Sequence, residues 1–226
     1  YSDTASLELT ADDQCIYADD SLSIENVKLT TTTTDLPTGN STPAVAIYTD
    51  GDLSINSSEV TGIAGDSDGD GIIEFGYTVG IISYGNVTIT GSSVNVAAND
   101  GGIDADSNMT IDNSTVIIDG GIYGTNVADT SIKNSTVTIS GESAIWTNTM
   151  YGGDLIISNS NVELSAQEYV IYDWYYYEPL AYYELNDITG HIIYGGEDKE
   201  STTIVNEQVD IFGNKYLKFV PASKVT

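Results

Sequence analysis

A short phrase of alternating apolar and polar residues recurs six times along this chain of 226 residues. Each copy contains an apolar-x-Ile stretch, a short polar corner, and a second stretch that begins with Val or Leu. Repeats with periods in the twenties and thirties are typical of solenoids, in which each unit stacks on the next. The isoleucines that mark the copies are 21 to 34 residues apart and are Ile24, Ile55, Ile89, Ile111, Ile132 and Ile157.

The apolar stretches predict short strands, because apolar and polar residues alternate within them with a period of two. A further apolar stretch precedes each copy, as in 46–49 and 102–105, so each repeat supplies three strands. The remaining residues are rich in Gly, Asp, Ser, Thr and Tyr and carry no helix signals. We therefore predict an all-β fold, a single-stranded parallel β-helix of about seven to eight coils.

One elongated domain, 1–226, accommodates the whole chain, since solenoids grow beyond compact-domain sizes without splitting. Coils are predicted over 15–196, with an aromatic-rich insertion at 169–183. Residues 1–14 and 197–226 break the period, and we expect them to form caps that cover exposed strand edges. A leucine-rich repeat is the alternative fold, but it requires Leu-rich helical return segments that this sequence does not contain.

Five of the six polar corners hold Asn or Gly, the residue types that adopt a left-handed backbone at low cost, and the sixth holds Ser. We therefore predict positive φ angles there, and stacked asparagine side chains that hydrogen-bond from coil to coil. This role is structural. The corner positions are Asn26, Ser57, Gly91, Asn113, Asn134 and Asn159.

Charge restricts the classes of partner. The chain has 34 acidic residues, six lysines and no arginine, which gives a net charge of −28. Nucleic acid and anionic lipid are therefore excluded as electrostatically favoured partners, whereas divalent cations are attracted. No stretch is long and apolar enough to predict membrane insertion. The acidic composition, nearly free of cysteine, predicts a secreted or cell-surface protein whose signal peptide is not in this chain.

Alternating aspartates at 66–71 form the most specific local motif in the sequence. Asp66, Asp68 and Asp70 place carboxylates along a tight loop, and Glu74 follows. Hard oxygen ligands around one flexible turn are what calcium binds. The loop is not an EF-hand, because no flanking helices are predicted. We predict a calcium site here, with a solvated acidic turn as the alternative.

A second candidate calcium site lies one coil further on, at Asp100, Asp104 and Asp106. The repeat also places Asp35, Asp66 and Asp100 at equal distances beyond successive apolar strands, so acids should stack along one edge. Carboxylates one coil apart repel each other unless a cation lies between them. The alternative is a solvated acidic rim.

Outward-facing aromatic residues are predicted along the strand that precedes each copy, because the neighbouring Ile points inward. An exposed row of rings suits a polysaccharide, whose C–H faces stack on aromatic faces while its hydroxyls reach flanking Asp and Asn. The alternative is that the rings pack against each other or a cap. The residues predicted to contact sugar are Tyr17, Tyr48, Tyr123, Trp146, Tyr172 and Trp174.

Catalytic machinery is not predicted. The only histidine, His191, lies near the C-terminal end, and no nucleophile motif accompanies it. A lyase mechanism with a calcium-acidified substrate would need a Lys or Arg as base, and only Lys28 and Lys133 lie on the repeats.

The phrase Gly-Ile-Asp-Ala-Asp-Ser-Asn-Met-Thr-Ile at 102–111, echoed at 46–55, resembles the repeats of a family of clostridial surface proteins. The similarity covers residues 15–164. This resemblance implies a right-handed parallel β-helix, similar to pectate lyases, that carries calcium and binds plant polysaccharides. It implies calcium at the matching acids Asp100, Asp104 and Asp106. The chain departs from the family pattern by its outward Tyr and Trp residues and by the added loop at 66–71.

Taken together, these features predict a non-catalytic, calcium-stabilised protein that binds an extracellular polysaccharide, such as a plant cell-wall or uronate-containing glycan. A structural or adhesive surface module with a protein partner is the first alternative. A calcium-dependent polysaccharide lyase is the second.

Overall fold

The computed structural model describes residues 5–37, 42–66, 73, 76–147, 153–173, 178–179, 184–186, 190–205, 211 and 213–224. Within these residues the regular structure is β, with one 3₁₀ turn at Ala222–Lys224 and no α-helix. Most strands lie in three columns of parallel strands, which we name A, B and C. The chain enters the columns in this order seven times.

Column A consists of β1 (Ala5–Ala11), β4 (Val27–Thr33), β7 (Glu59–Ala64), β10 (Ser93–Ala98), β13 (Thr115–Gly120) and the first parts of β16 (Thr136–Thr147) and β18 (Asn161–Asp173). Column B consists of β2 (Gln14–Ala18), β5 (Ala44–Thr49), β8 (Thr78–Ser83), β11 (Gly101–Ala105), β14 (Tyr123–Val127) and the second parts of β16 and β18. Column C consists of β3 (Leu22–Glu25), β6 (Leu53–Asn56), β9 (Val87–Thr90), β12 (Met109–Asp112), β15 (Thr130–Lys133), β17 (Asp154–Ser158) and β20 (Glu184–Asn186).

Each strand pairs in parallel with the strand of the same column in the next turn. The marker isoleucines are in register, for example Ile55 with Ile89 and Ile111 with Ile132. The predicted all-β architecture with parallel, repeated strands is therefore confirmed. β1 lies within the segment expected to cap the N-terminal end and forms the first strand of column A.

An antiparallel sheet follows the last turn. β23 (Tyr216–Pro221) pairs with the column A part of β18, and β21 (His191–Gly196) pairs with β23 and with β22 (Thr203–Ile204). β19 (Glu178–Pro179) pairs with the column B part of β18. The reversal of direction covers the open edge of β18, which is how sheets avoid pairing with other molecules.

The core consists of the inward residues of all three columns. The marker isoleucine of column C is at most 5% exposed in all six repeats, and the column A residues in register with Leu29, through to Val162, are at most 3% exposed. Burying one such side chain contributes about 1.5–3 kcal/mol. The side chains predicted to point inward thus form one continuous apolar stack.

The corner between columns C and A has the predicted left-handed backbone. All six predicted positions have φ between 48° and 58°: Asn26, Ser57, Gly91, Asn113, Asn134 and Asn159. The predicted asparagine stack forms at one end, where Asn159 Nδ2 donates to Asn134 Oδ1 over 2.9 Å. Asn134 Nδ2 in turn donates to Asp112 Oδ1 over 3.3 Å.

A buried serine ladder, which the sequence analysis did not predict, runs beside these corners. The backbone N–H of each serine donates to the hydroxyl of the serine one turn later over 3.0 to 3.1 Å. Each hydroxyl donates in turn to the carbonyl two residues before it, as Ser92 does to Thr90 over 2.8 Å. The ladder satisfies polar groups that would otherwise be buried without partners. Its members are Ser58, Ser92, Ser114, Ser135 and Ser160.

His191 lies at the last rung of this ladder. Its Nε2 atom is 3.3 Å from the nitrogen of Ser160 and 3.1 Å from the carbonyl oxygen of Ser160. The imidazole therefore occupies the place where the next serine hydroxyl would lie. The ladder thus extends from the corner between columns C and A into β21.

Replacing Ser92 by Ala should lower the free energy of unfolding by about 1–3 kcal/mol, because the buried N–H of Ser58 loses its acceptor. Ser93→Ala is the matched control: Ser93 is exposed, and the change should stay within about 0.5 kcal/mol. Urea unfolding followed by circular dichroism measures both. Equal effects of the two substitutions would contradict a stabilising ladder.

Substitutions of Asn113 test whether the left-handed backbone at the corner between columns C and A affects stability. Asn113→Ala should destabilise the fold by about 1–2 kcal/mol, because alanine lacks the short polar side chain that lets asparagine adopt φ 50° at low cost. Asn113→Gly should be nearly neutral, since glycine adopts this conformation readily. Thermal unfolding of the two variants provides the comparison, and an alanine variant as stable as the glycine variant would show that the backbone angle carries no cost.

Candidate ligand-binding face

One outward row runs along column B through all seven turns. The strand register aligns each member with the next, and all members are at least partly exposed to solvent. The residues immediately before them, such as Ile47, Ile81 and Ile103, are fully buried. The predicted alternation is therefore confirmed in these turns. The row consists of Tyr17, Tyr48, Ile82, Asp104, Asn126, Trp146 and Tyr172.

Tyr123 is not in this row, so its predicted position is wrong. β14 begins at Tyr123, and its register aligns Asn126 with Asp104 and with Trp146. Ile122, which was expected to point inward, is 36% exposed, whereas Tyr123 is 8% exposed. The alternation of residue types in 125–127 would have predicted the observed register. Thr125 takes the inward position that isoleucine occupies in neighbouring turns.

The ring of Tyr123 nevertheless packs on the same side of column B. It lies over Gly101, where an added β-carbon would come within 2.3 Å of the ring. It also stacks on Trp146, with ring centroids 4.8 Å apart. The absence of a side chain at Gly101 therefore leaves room for the Tyr123 ring beside the outward row.

Aromatic rings form two groups on this side, which together we name the aromatic face. In the first group, Tyr17 stacks on Tyr48 at 5.1 Å, and Tyr84 meets Tyr48 edge-on at 5.8 Å. In the second group, Trp146 contacts Tyr123 and Tyr172, and Tyr172 stacks on Tyr169. Stacked rings cover one another, so the surface free for a ligand is at ring edges and at exposed rings. The most exposed are Tyr17, Tyr77 and Tyr84, at 54%, 40% and 53%.

The first group is tied together by Asp50. Tyr17 donates its hydroxyl hydrogen to Oδ2 of Asp50 over 3.3 Å, and Tyr48 donates to Oδ1 over 2.9 Å. Hydrogen bonding to Asp19 raises the pKa of Tyr17 to about 12, and burial raises the pKa of Tyr48 further, with Asp50 adding to the shift. Both hydroxyls therefore stay protonated at neutral pH and act as donors.

Asp104 is the centre of the second group. Its Oδ2 accepts a hydrogen bond from the Tyr123 hydroxyl, and its Oδ1 accepts one from Asn126 Nδ2, each over 3.1 Å. Burial raises the pKa of Asp104 to about 6, and nearby Asp106 adds to the increase. Burial, with Asp100 and Asp104 adding, also raises the pKa of Tyr77. Tyr77 therefore lies near both acids.

The predicted calcium ligands are only partly within the described residues. Asp68, Asp70 and Glu74 lie outside them, and Asp66 is 3% exposed. Asp100 Oδ2 accepts hydrogen bonds from the Thr78 N–H over 2.8 Å and from Asn99 over 3.3 Å. No group of three or more His, Cys, Asp or Glu side chains placed to hold a metal ion occurs among the residues described. Calcium binding stays a prediction.

Other residues of the face were missed by the sequence analysis. Tyr84 and Asp50 occupy the same position, two residues beyond the outward row, in successive turns. Counting two positions onward from Tyr48 and Ile82 would have found both. Trp174, predicted to contact sugar, lies outside the described residues.

The two lysines considered as bases lie away from this face. Lys28 is in β4 of column A, where its Nζ is 2.6 Å from Glu59, and Lys133 is in β15 of column C. None of the short column B strands contains a lysine. A lysine base on the aromatic face would therefore have to come from outside these strands.

Comparison of the chain with models of protein families, with curated proteins and with solved structures gave no match. Within the described residues, no helix has the length and apolar character needed to cross a membrane.

Asp104 predicts a pH dependence of stability. A carboxyl group whose pKa is raised in the folded protein stabilises the fold most when protonated, so its contribution is lost as the pH rises from about 4 to about 6. Asp104→Asn should remove this loss and raise the free energy of unfolding at pH 7 by up to about 3 kcal/mol. Glu25→Gln, an exposed acid in β3, should leave the pH dependence unchanged.

Urea unfolding in EDTA at several pH values measures both variants and the parent protein. The difference in stability between the asparagine variant and the parent protein should grow between about pH 4 and pH 7, and a difference that stays constant over this range would contradict the role of Asp104.

Proposed function

We propose that this chain is a single-stranded right-handed parallel β-helix that binds an extracellular polysaccharide along the aromatic face and catalyses no reaction on it. We also propose that it is secreted or displayed at a cell surface. The observation that carries the proposal is the aromatic face itself, in which aromatic side chains occupy both ends of one outward row of column B. Such a row offers a polymer contacts repeated along its length.

The chemistry of the face fits sugar. Exposed rings of Tyr17 and Tyr84 supply apolar surface, and Asp50, Asp104 and Asn126 supply hydrogen-bonding groups beside the rings. Sites for polar ligands combine apolar walls with a small number of placed polar groups. Neighbouring exposed aromatic side chains also mark interaction sites in general.

The proposal includes calcium ions bound by aspartate side chains of the protein. Asp106 is exposed and Asp104 is partly exposed beside it, and a protein of charge −28 attracts divalent cations to such acids. For a uronate-containing glycan, calcium would offset the repulsion between the acidic ligand and the acidic face. The loop that begins at Asp66 is the other proposed calcium position, with Asp68, Asp70 and Glu74 as further ligands.

A structural or adhesive module with a protein partner is the second candidate, and ring geometry favours it. Tyr17 and Tyr48 are nearly parallel, with 13° between the ring planes, so each covers a face that sugar stacking would use. Their hydroxyls are already engaged with Asp50. Aromatic residues whose rings and hydroxyls are satisfied within the protein stabilise a fold, and their edges suit a protein surface.

Retention on immobilised polysaccharides separates the two candidates. Tyr17→Ala combined with Tyr84→Ala should weaken binding about 10-fold or more, because the two most exposed rings are removed, which corresponds to at least about 1.4 kcal/mol. Ile117→Ala is the control, since Ile117 is 47% exposed but lies in β13 of column A. Affinity electrophoresis with neutral and uronate-containing glycans, in calcium and in EDTA, measures the effect.

Loss of uronate binding in EDTA with neutral glycan binding intact would assign calcium a bridging role. Absence of retention by every glycan in calcium would reject polysaccharide binding. Capture of a purified cell-surface protein that the tyrosine variant fails to capture would then support the second candidate.

A further inference from the structure

The antiparallel sheet at the C-terminal end contains a pocket of about 430 Å³ that neither the repeats nor the aromatic face explains. Its floor is the outer side of β18, β23 and β21. The strand register places Lys218 between Glu163 and Tyr194. The size falls within the range of small-molecule sites. Because Glu163 belongs to the column A part of β18, the pocket lies on another side of the molecule from the aromatic face.

One wall of the pocket is the turn that joins β21 to β22. Asp198 holds this turn, since its Oδ1 accepts the N–H groups of Glu200 over 3.0 Å and of Ser201 over 2.8 Å. Hydrogen bonding by Ser201 lowers the pKa of Asp198, which keeps the carboxylate charged. Lys199, Glu200 and Thr202 of this turn line the pocket. The wall is therefore ordered without a ligand, which lowers the entropic cost of binding.

Charge distinguishes this pocket from the rest of the surface. Four of the six lysines lie in 199–224, and two of them line the pocket together with two glutamates, so its formal charge is zero in a chain of charge −28. The aromatic face, in contrast, carries acids and no lysine in its short strands. A ligand in the pocket therefore meets balanced charge.

The two ion pairs of the pocket are loose. Lys218 Nζ is 3.5 Å from Glu163, and Lys199 Nζ is 3.8 Å from Glu200. Charge-assisted hydrogen bonds are about 2.7–2.9 Å long, so each pair has unused donor and acceptor capacity. A hydroxyl group can accept from the ammonium and donate to the carboxylate of the same pair, because it is both donor and acceptor.

Two tyrosines and Val220 complete the lining. Tyr216 is 6% exposed, and burial, with a hydrogen bond to Glu163, raises the pKa of its hydroxyl well above the usual range. Tyr194 is half-buried and lies beside Lys218 in the register. The pocket thus combines apolar ring surface with paired donors and acceptors.

We propose that this pocket binds one uncharged sugar residue, with its hydroxyls bridging the Lys218–Glu163 and Lys199–Glu200 pairs. A uronate or an amino sugar gains no net attraction from this balanced charge and can pair with only one member of each ion pair, whereas an uncharged polyol uses both members. This site does not rest on the aromatic face. The two sites face different directions, so occupation of one leaves the other open.

Saturation-transfer NMR and titration calorimetry test the pocket with glucose, galactose and mannose, and with glucuronate, glucosamine and glycine as charged or zwitterionic comparisons. The double variant Glu163→Gln/Lys218→Met removes the floor pair while keeping side-chain size, and it should weaken binding of the uncharged sugar about 10-fold or more. The strand bonds around it are backbone bonds and stay in place. Thr202→Val, which deletes one hydroxyl of the wall, carries the same expectation should the double variant unfold.

Tyr17→Ala/Tyr84→Ala is the control, and sugar binding in the pocket should be unchanged in it. This variant also separates the two proposals: it weakens polysaccharide retention if the aromatic face binds glycan, while the pocket variants weaken monosaccharide binding. The pocket proposal is overturned if no uncharged sugar binds the parent protein, if glycine or a charged sugar binds more tightly, or if the pocket variants bind the sugar as well as the parent protein does.

Discussion

Backbone hydrogen bonding from each turn to the next is the constraint on which the rest of this structure depends. Because a strand of one turn pairs in parallel with the strand of the following turn, a position in one repeat is fixed beside the same position of the next. Side chains then form rows rather than isolated contacts. The apolar stack, the serine ladder and the outward row of column B are three products of this register.

The repeated phrase was sufficient to predict the all-β parallel architecture, the inward isoleucines and the left-handed corner, because each follows from a pattern that six copies share. Asn113 and Gly91 occupy the same corner position in successive turns, and both residue types favour the positive φ angle that this corner requires. The serine ladder was missed although Ser58 and Ser92 are plain in the sequence, because a small polar residue next to a corner reads as exposed. Only the path of the neighbouring turn shows that it is buried.

The error at Tyr123 has a similar origin. The Gly-Ile pair at 102–103 lies inside β11, whereas the Gly-Ile pair at 121–122 lies in the corner before β14, so Asn126 takes the outward position. Site residues in the outward row of column B could therefore be predicted only in those turns where the sequence also predicted the strand register correctly. Contacts across rows, such as Tyr123 with Asp104, depend on side-chain directions that no single repeat specifies.

The three corners of each turn differ in how much length they tolerate. The corner between columns C and A never holds more than two residues between strands, from Asn26 to Ser160, because the N–H of each serine must reach the hydroxyl of the serine one turn later. The corner between columns A and B holds two residues after β10 but far more after β4 and β7, and the aspartate-rich segment that starts at Asp66 lies in one of these expansions. The constant length of the corner between columns C and A therefore keeps the strands of successive turns in register. Segments of new sequence can be added at the corner between columns A and B, in one turn or another, without shifting any row of side chains in the three columns.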